Sequence, residues 1–150
     1  MADAVVVRAA RAEDLAVVRQ LLADARLPVD GLEEQFGDHY AVAETQGQIV
    51  AAEGVEVYER WGLLRSAVVA PAHRGTGLGI RLTENRLAWA RSRQLEAVYL
   101  LTTTAAPFFA RLGFIEVPRE SAPAAVQASR EFASVCPSSA VCMRCAPAGA

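Results

Sequence analysis

A glycine-rich turn between an apolar strand and a helix constrains this chain more than any other segment. Residues 64–79 read LRSAVVAPAHRGTGLG, so an apolar run reaches Pro71 and is followed by closely spaced glycines. Gly75, Gly77 and Gly79 carry no Cβ, and the backbone there can approach a ligand closely. The first N–H groups of a helix lack helical acceptors, and the helix dipole favours an anion at that end. The segment therefore predicts a phosphate-binding turn.

Two common phosphate-binding motifs do not fit this turn. No Gly-Lys-Ser/Thr follows the glycines, which excludes a Walker A loop. The glycine spacing also differs from that of the dinucleotide-binding fingerprint. An ordinary glycine turn without a ligand remains the alternative.

Hydrophobic periodicity predicts strands and helices that are interspersed along the chain. Strands are expected at residues 5–7, 40–45, 48–58, 63–69, 97–102, 113–117 and 140–144. Helices are expected at residues 13–27, 31–36, 79–93, 106–112 and 121–132. The apolar stripe of the long helix is interrupted by Arg86. This order predicts a mixed α/β domain around one sheet.

The length and net charge of the chain limit the classes of protein to which it can belong. A chain of 150 residues, 53% of them hydrophobic, suits one core, so residues 1–150 are expected to form a single domain. The net charge of −2 provides no basic field for nucleic acid. Neither a membrane-length apolar run nor a signal segment is present. We therefore expect a cytoplasmic protein with no nucleic-acid or membrane partner.

Three cysteines, Cys136, Cys142 and Cys145, lie close together near the end of the sequence. An odd, clustered set does not suit a secreted disulfide framework. Thiolates could bind a soft metal or metalloid, but Cys142 and Cys145 would face opposite sides of one strand. Packing as small apolar groups is the favoured interpretation, with no metal bound and no catalytic thiol.

Charged residues interrupt two apolar strands. Arg65 presents a planar fork that suits a substrate carboxylate, and the alternative is a strand position facing solvent. Glu53 and Glu56 are three residues apart, so a regular strand would place them on opposite faces. Either could take a proton from a substrate ammonium through water, and the alternative for both is a solvated surface acid. Glu53 is retained as the candidate base.

The pattern R-x-x-G-x-G after V-V-A-P resembles the acetyl-CoA pyrophosphate loop of the GNAT superfamily of N-acetyltransferases. The resemblance assigns the pyrophosphate to the backbone of Arg74, Gly75, Thr76, Gly77, Leu78 and Gly79. It pairs backbone groups of Val68 and Val69 with the pantetheine arm, and it makes the N–H groups near Val68 the oxyanion donors. The implied fold is a mostly antiparallel twisted sheet of six to seven strands, flanked by helices, with splayed parallel strands at the cofactor cleft. Acetyl-CoA is the implied cosubstrate, without a metal.

Residues 97–114, AVYLLTTTAAPFFARLGF, extend the resemblance, and their closing Gly-Phe pair matches the family. Phe108 is implied at the cofactor and Thr103 at the substrate, while core packing and an ordinary strand role are the alternatives. Phe109 stands where many GNAT enzymes carry a tyrosine acid. The L-T-T-T, F-F and L-G-F sequences resemble the amino-acid acetyltransferase branch, which includes N-acetylglutamate synthases.

The cysteine-containing tail, together with LLRSAVVAP and YLLTTT, resembles acetyltransferases found with arsenic-resistance genes, over residues 62–143. The implied reaction is direct attack, in a ternary complex, by the amine of a small amino acid or amino-acid-like toxin, including an organoarsenical. The alternatives are a protein lysine or N-terminal acetyltransferase and a non-catalytic acyl-CoA or metalloid-binding module. We also expect a homodimer, because the edges of the predicted sheet are exposed.

Overall fold

The computed structural model describes residues 4–135 and 139–147, except for the side chains of residues 134 and 135. Its strands are β1 (Val6–Ala9), β2 (Tyr40–Thr45), β3 (Gln48–Tyr58), β4 (Trp61–Val69), β5 (Ala97–Thr102), β6 (Ile115–Val117) and β7 (Val141–Cys145). Its helices are α1 (Leu15–Asp24), α2 (Leu78–Ser92), α3 (Ala106–Arg111) and α4 (Ala124–Gln127). Short 3-10 turns cover Ala12–Asp14, Leu32–Glu34, Pro71–His73 and Arg119–Ser121, and a π-helical turn covers Glu131–Val135.

The strands form one seven-stranded sheet in the order β1-β2-β3-β4-β5-β7-β6. The pairs β1–β2, β2–β3, β5–β7 and β6–β7 are antiparallel, whereas β4 and β5 run parallel. The β4–β5 register joins Trp61 to Ala97, Gly62 to Val98 and Leu63 to Tyr99. The predicted mixed α/β fold around a mostly antiparallel sheet with one parallel pair is therefore confirmed.

The described chain divides into two compact units, each with its own core. The first contains residues 4–54 and 66–86, and the second contains residues 55–65, 87–135 and 139–147. Residues of β3, β4 and α2 are therefore divided between the units. None of the helices in the described residues is both long and apolar enough to cross a membrane.

The core of the first unit is built on the sheet formed by its early strands. Val18 and Leu22, four residues apart on α1, are fully buried and pack in one cluster with Tyr40. Leu78 and Leu82, also four apart, place one face of α2 in a second cluster with alanines of β2 and β3. The buried face of α2 is thus fixed by its apolar residues.

The core of the second unit contains two clusters that include residues of β7. Cys142 belongs to the cluster around Leu63 and Tyr99, whereas Cys145 packs against the cluster around Phe109. The prediction that Cys142 and Cys145 face opposite ways along one strand is therefore confirmed. Cys136 lies outside the described residues.

The predicted helix over residues 121–132 is wrong as a single element. Only Ala124–Gln127 is α-helical, and the helix does not begin earlier because Pro123 disfavours a helical conformation at Ala122, which is extended. Beyond α4, the Ser129 hydroxyl accepts a hydrogen bond from the Phe132 N–H, in competition with regular helix bonding. A separate π-helical turn then forms at Glu131–Val135.

Candidate functional site

The glycine-rich turn lies between β4 and α2, as predicted. Gly75 and Gly77 have φ angles of 78° and 86°, in the left-handed region that favours glycine. A Cβ built on either residue would meet no protein atom within 4 Å. The turn therefore exposes an open, Cβ-free backbone surface that a ligand could approach closely.

Side-chain hydrogen bonds hold the backbone of the turn in place after the end of β4. Arg74 donates from Nε to the Val69 carbonyl at 3.0 Å, and Thr76 donates from Oγ1 to the His73 carbonyl at 2.6 Å. The Arg81 N–H bonds the Gly77 carbonyl at 3.1 Å, which establishes the first turn of α2. The N–H groups before Arg81 in that turn have no acceptor within the helix, and they carry its positive dipole end. This arrangement has the donors and the field that a phosphate group requires.

Ser66 interrupts the regular geometry of β4. Its φ of 61° is left-handed, and of the non-glycine residues with positive φ in the described chain it is the one inside a strand. Such a conformation costs on the order of 1–3 kcal/mol and tends to occur at functional sites. Val68, the predicted oxyanion donor, lies two residues further along the strand and is buried. Its role as a donor stays a prediction.

Glu53 is buried in the first unit, with only 2% of its surface exposed. Its Oε1 accepts a 3.0 Å hydrogen bond from the Thr83 hydroxyl, and its Oε2 is buried without a hydrogen-bond partner in the described part of the chain. Burial raises the pKa of Glu53 to about 8, against the lowering effects of Thr83 and Arg86. The alternative of a solvated surface acid is therefore wrong for Glu53.

Arg86 is also buried, although Arg86 breaks the apolar stripe of α2. Its NH1 donates to the Asp38 carbonyl at 2.8 Å, and its Nε and NH2 donate to Asn85 Oδ1 at 3.0 and 2.9 Å. Burial lowers the pKa of Arg86 to about 10, so the guanidinium stays charged at neutral pH. Glu53, Thr83 and Arg86 thus form a buried polar cluster, which we name the Glu53 cluster.

Arg65 lies in the second unit and does not face solvent, so that alternative is wrong. Its NH1 is 3.1 Å from Glu56 Oε2, and its Nε is 3.7 Å from Glu131 Oε1. The Tyr58 hydroxyl donates to Glu56 Oε1 at 2.6 Å. Glu56 is buried as well, contrary to the expectation of a surface acid. The guanidinium is therefore already paired with two carboxylates, and a substrate-clamping role stays a prediction.

Thr103 and the two phenylalanines lie beyond the end of β5 and on α3. Thr103 is exposed and follows the last strand residue, so an ordinary strand role does not apply. Phe109 is buried and makes edge-to-face contacts with Phe108 and Phe114 at 5.1 and 5.6 Å between ring centres. Core packing is therefore confirmed for Phe109. Phe108 is half-buried, and its contact with a cofactor stays a prediction.

The described cysteines have the properties of buried apolar groups. Burial raises the pKa of the Cys142 thiol to about 11, and it also raises that of Cys145. A thiol with a raised pKa is a poor nucleophile and a poor metal ligand at neutral pH. Across residues 4–135 and 139–147, no group of three or more His, Cys, Asp or Glu side chains is arranged to hold a metal ion.

Comparison with known proteins identifies the family. The acetyltransferase (GNAT) domain model matches residues 36–116, more than half of the chain. This chain belongs to the GNAT acetyltransferase family. It is 31% identical over 122 residues to an amino-acid acetyltransferase of Mycobacterium tuberculosis, covering 75% of this chain and 69% of that relative. The predicted GNAT fold is confirmed, and the match supports the prediction of an acetyl-CoA-dependent N-acetyltransferase.

Solved structures agree with this assignment. Rv2747 from Mycobacterium tuberculosis, in complex with CoA and NLQ, has a TM-score of 0.78 and 27% identity, covering 94% of this chain and 98% of that one. N-acetylglutamate synthase from Neisseria gonorrhoeae, complexed with coenzyme A and N-acetyl-glutamate, has a TM-score of 0.80 and 17% identity, which shows the fold alone. The match covers 97% of this chain but only 36% of the synthase.

Sequence reasoning missed the partners of Glu53 and the left-handed residue in β4. The sequence indicates the role of Arg86 only by its position, because Arg86 interrupts the apolar stripe of the helix. A charged residue on the buried face of a helix indicates a buried partner. Thr83 gave no such signal, because threonine is common on helix surfaces. Ser66 gave none either, since its conformation does not follow from its residue type.

Proposed function

We propose that this chain is an N-acetyltransferase that moves the acetyl group of acetyl-CoA to the amine of a small amino acid. The observation that carries the proposal is the turn at Gly75 and Gly77, which is left-handed, open and located at the head of α2. The family match covers this turn. Similarity to the mycobacterial amino-acid acetyltransferase supports the acceptor class.

The proposed cofactor site uses mainly the backbone. The amides of residues 74–79 hold the pyrophosphate, where the helix dipole and the unpaired N–H groups favour an anion. Val68 and Val69 pair with the pantetheine arm through their main-chain groups. Arg74 supports this geometry by binding the Val69 carbonyl, and Phe108 is proposed to contact the cofactor.

The proposed reaction is a direct attack of the amine nitrogen on the thioester carbonyl carbon. A C–N bond forms, the C–S bond breaks, and the electron pair leaves on the thiolate. The Val68 N–H stabilises the negative charge that develops on the carbonyl oxygen. Glu53 accepts the ammonium proton through water, and Oε2 is the proposed acceptor atom because it is buried without a hydrogen-bond partner among the described residues. Phe109 has no proton to give, but a thiol with an ordinary pKa of about 8.5 leaves without strong acid help.

The proposed substrate is an amino acid whose carboxylate is recognised by Arg65 and whose remaining groups contact Thr103. The planar guanidinium favours a carboxylate partner, although substrate binding there must compete with Glu56 and Glu131. Similarity to the mycobacterial amino-acid acetyltransferase supports this class.

A finer proposal assigns the chain to the arsenic-resistance-associated acetyltransferases. Its support is the sequence resemblance over residues 62–143, including the tail with Cys142 and Cys145. The substrate would then be an amino-acid-like toxin such as an organoarsenical, detoxified at its amine. No arsenic–sulfur bond is required, in keeping with the packed positions of Cys142 and Cys145. A single domain over residues 1–150, a cytoplasmic location and a homodimer stay predictions.

Thiol release from acetyl-CoA, measured with a panel of acceptors, tests the proposal. The panel contains amino acids, their decarboxylated amines, an amino-acid-like organoarsenical, and peptides with a free N-terminus or lysine. Turnover with amino acids above that with the matched amines supports the proposal. Turnover with peptides alone would identify a protein acetyltransferase, and acetyl-CoA binding without turnover would identify a non-catalytic module.

A further inference from the structure

Two polar residues occupy the buried face of α2. Thr83 and Arg86 are three residues apart, which places them on one side of the helix, and their exposures are only 0% and 3%. Leu82, their neighbour in the chain, is buried in an apolar cluster. A charge in such surroundings is costly unless specific partners compensate it.

Two neutral oxygen acceptors hold the Arg86 guanidinium in place. NH1 donates to the main-chain carbonyl of Asp38, and Nε and NH2 donate to the side-chain oxygen of Asn85. Both of these acceptors are neutral groups that hold the guanidinium in place, and its pKa of about 10 keeps it charged at neutral pH. Burial lowers the pKa of Arg86, whereas the charges of Glu53 and Asp38 raise it.

One carboxylate oxygen of Glu53 accepts a hydrogen bond, and the other has no hydrogen-bond partner among the described residues. Thr83 donates to Oε1 and thereby favours the carboxylate form, and the positive charge of Arg86 favours the same form. Oε2 is buried, and the described residues offer it no hydrogen-bond partner. A carboxylate with one hydrogen-bonded oxygen and one oxygen without a hydrogen-bond partner has the orientation and the free lone pairs that a proton acceptor needs.

Among the described residues, the groups that act on the pKa of Glu53 lie on α2. From α2 it meets Thr83 and Arg86, and Asp38 lies behind Arg86. From β2, the Tyr40 ring covers the adjacent Gly54 so closely that a Cβ there would overlap it. The charge state of Glu53 therefore depends mainly on burial, on the Thr83 hydroxyl and on Arg86.

We infer that Thr83 and Arg86 are positioning residues that favour the charged, proton-accepting form of Glu53 against burial, an inference that rests on the proposed role of Glu53 as the base. The Thr83 hydroxyl donates a hydrogen bond to one carboxylate oxygen of Glu53. The positive charge of Arg86 lowers the pKa of Glu53, whereas burial raises it. Without them, burial acts on Glu53 with less opposition, and a smaller fraction of Glu53 is in the carboxylate form that can accept the substrate proton at neutral pH.

Titration of the full chain with ¹³C-labelled glutamate, followed by NMR, tests the inference directly. Glu53→Gln assigns the signal. Thr83→Val removes the hydroxyl with little change of shape, and Thr83→Ser restores it. Arg86→Met removes the charge, and Arg86→Lys keeps it, so the lysine variant also serves if the methionine variant does not fold. Arg91→Met removes an exposed charge from the same helix as a control.

The titration midpoint of Glu53 is expected to rise by about one pH unit in Thr83→Val and Arg86→Met. It should return towards the parent value in Thr83→Ser and Arg86→Lys, and it should not move in Arg91→Met. The acidic limb of the kcat/KM profile should shift in the same direction, with about a tenfold loss at pH 7. A purely structural role would change the melting temperature without moving either midpoint.

The outcomes separate this inference from the proposed function. If folded Thr83→Val and Arg86→Met titrate and turn over with unchanged midpoints, the inference is overturned while acetyl transfer stands. A shift of the NMR midpoint without a matching shift of the rate profile also overturns it. If the parent protein turns over no acceptor, the proposed function fails, and the midpoint still reports what Thr83 and Arg86 do to Glu53.

Discussion

Arg65 and Glu56 meet across neighbouring strands, with 3.1 Å between NH1 and Oε2 and side-chain exposures of 2% and 3%. Glu131 approaches the same guanidinium at 3.7 Å. A buried pair of this kind is costly to break, because the remaining partner keeps an uncompensated charge. Arg65 therefore contributes to folding whether or not it binds a substrate.

Arg65→Met is expected to lower the free energy of unfolding by about 3–5 kcal/mol, since it removes the guanidinium from two buried carboxylates. Combining it with Glu56→Gln should recover part of the loss. Chemical denaturation of the two single variants and the double variant measures the coupling. Strictly additive losses would contradict an energetic link between the two side chains.

Arg65→Lys tests the proposed substrate clamp separately, because lysine keeps the charge but loses the planar fork. If Arg65 binds a substrate carboxylate, KM for the amino acid rises while KM for the decarboxylated amine does not. Acetyl-CoA affinity is the control and should barely change. An equal effect on both acceptors would restrict Arg65 to its structural pairs.

Gly77→Ala is expected to weaken acetyl-CoA binding at least tenfold, about 1.4 kcal/mol, because the Cβ would project into the open space of the turn. Gly47→Ala is a matched control. Its φ of 73° is close to the 86° of Gly77, and its Cβ would also meet open space, but it lies in the β2–β3 hairpin. Calorimetry should show weakened binding only for Gly77→Ala, although both variants carry backbone strain. Equal affinities would remove the pyrophosphate from this turn.

Glu53→Gln is expected to make the protein more stable at alkaline pH. The folded-state pKa of about 8 lies above the unfolded value of 4.5, so the native state binds the proton more tightly. Stability therefore falls as pH rises between these values, by up to about 1.4 kcal/mol per pH unit. The difference in melting temperature between Glu53→Gln and the parent should grow in favour of the variant from pH 5 to pH 8. A constant difference would mean that Glu53 ionises normally.

Cys142→Ala is expected to leave acetyl transfer largely intact, because the buried thiol has a pKa of about 11 and little thiolate at neutral pH. Alkylation of the native protein at pH 8 should be slow at Cys142 and become fast on unfolding. A combined replacement of Cys136, Cys142 and Cys145 extends the test to the whole set. Loss of turnover with normal folding and normal acetyl-CoA binding would establish a role for a thiol.

Much of the fold follows from local patterns in the sequence. The β2–β3 hairpin is signalled by Gln46–Gly47, and both residues adopt the positive φ angles that such a turn needs. The turn before α2 is signalled by its glycines, for the same stereochemical reason. The element over residues 121–132 was mispredicted, because helix propensity does not reveal where proline and side-chain hydrogen bonds divide a segment.

By itself, the sequence determined the order of strands and helices, the glycine turn and the family resemblance, because periodicity and glycine stereochemistry act within a few residues. Only the tertiary structure decided that Glu53, Arg65 and Arg86 are buried. Thr83 and Glu53 are 30 residues apart, and their hydrogen bond exists only when α2 packs against the sheet. The identity of a charged residue does not reveal whether folding gives it a partner or leaves it in water, and that difference sets its pKa and its possible role.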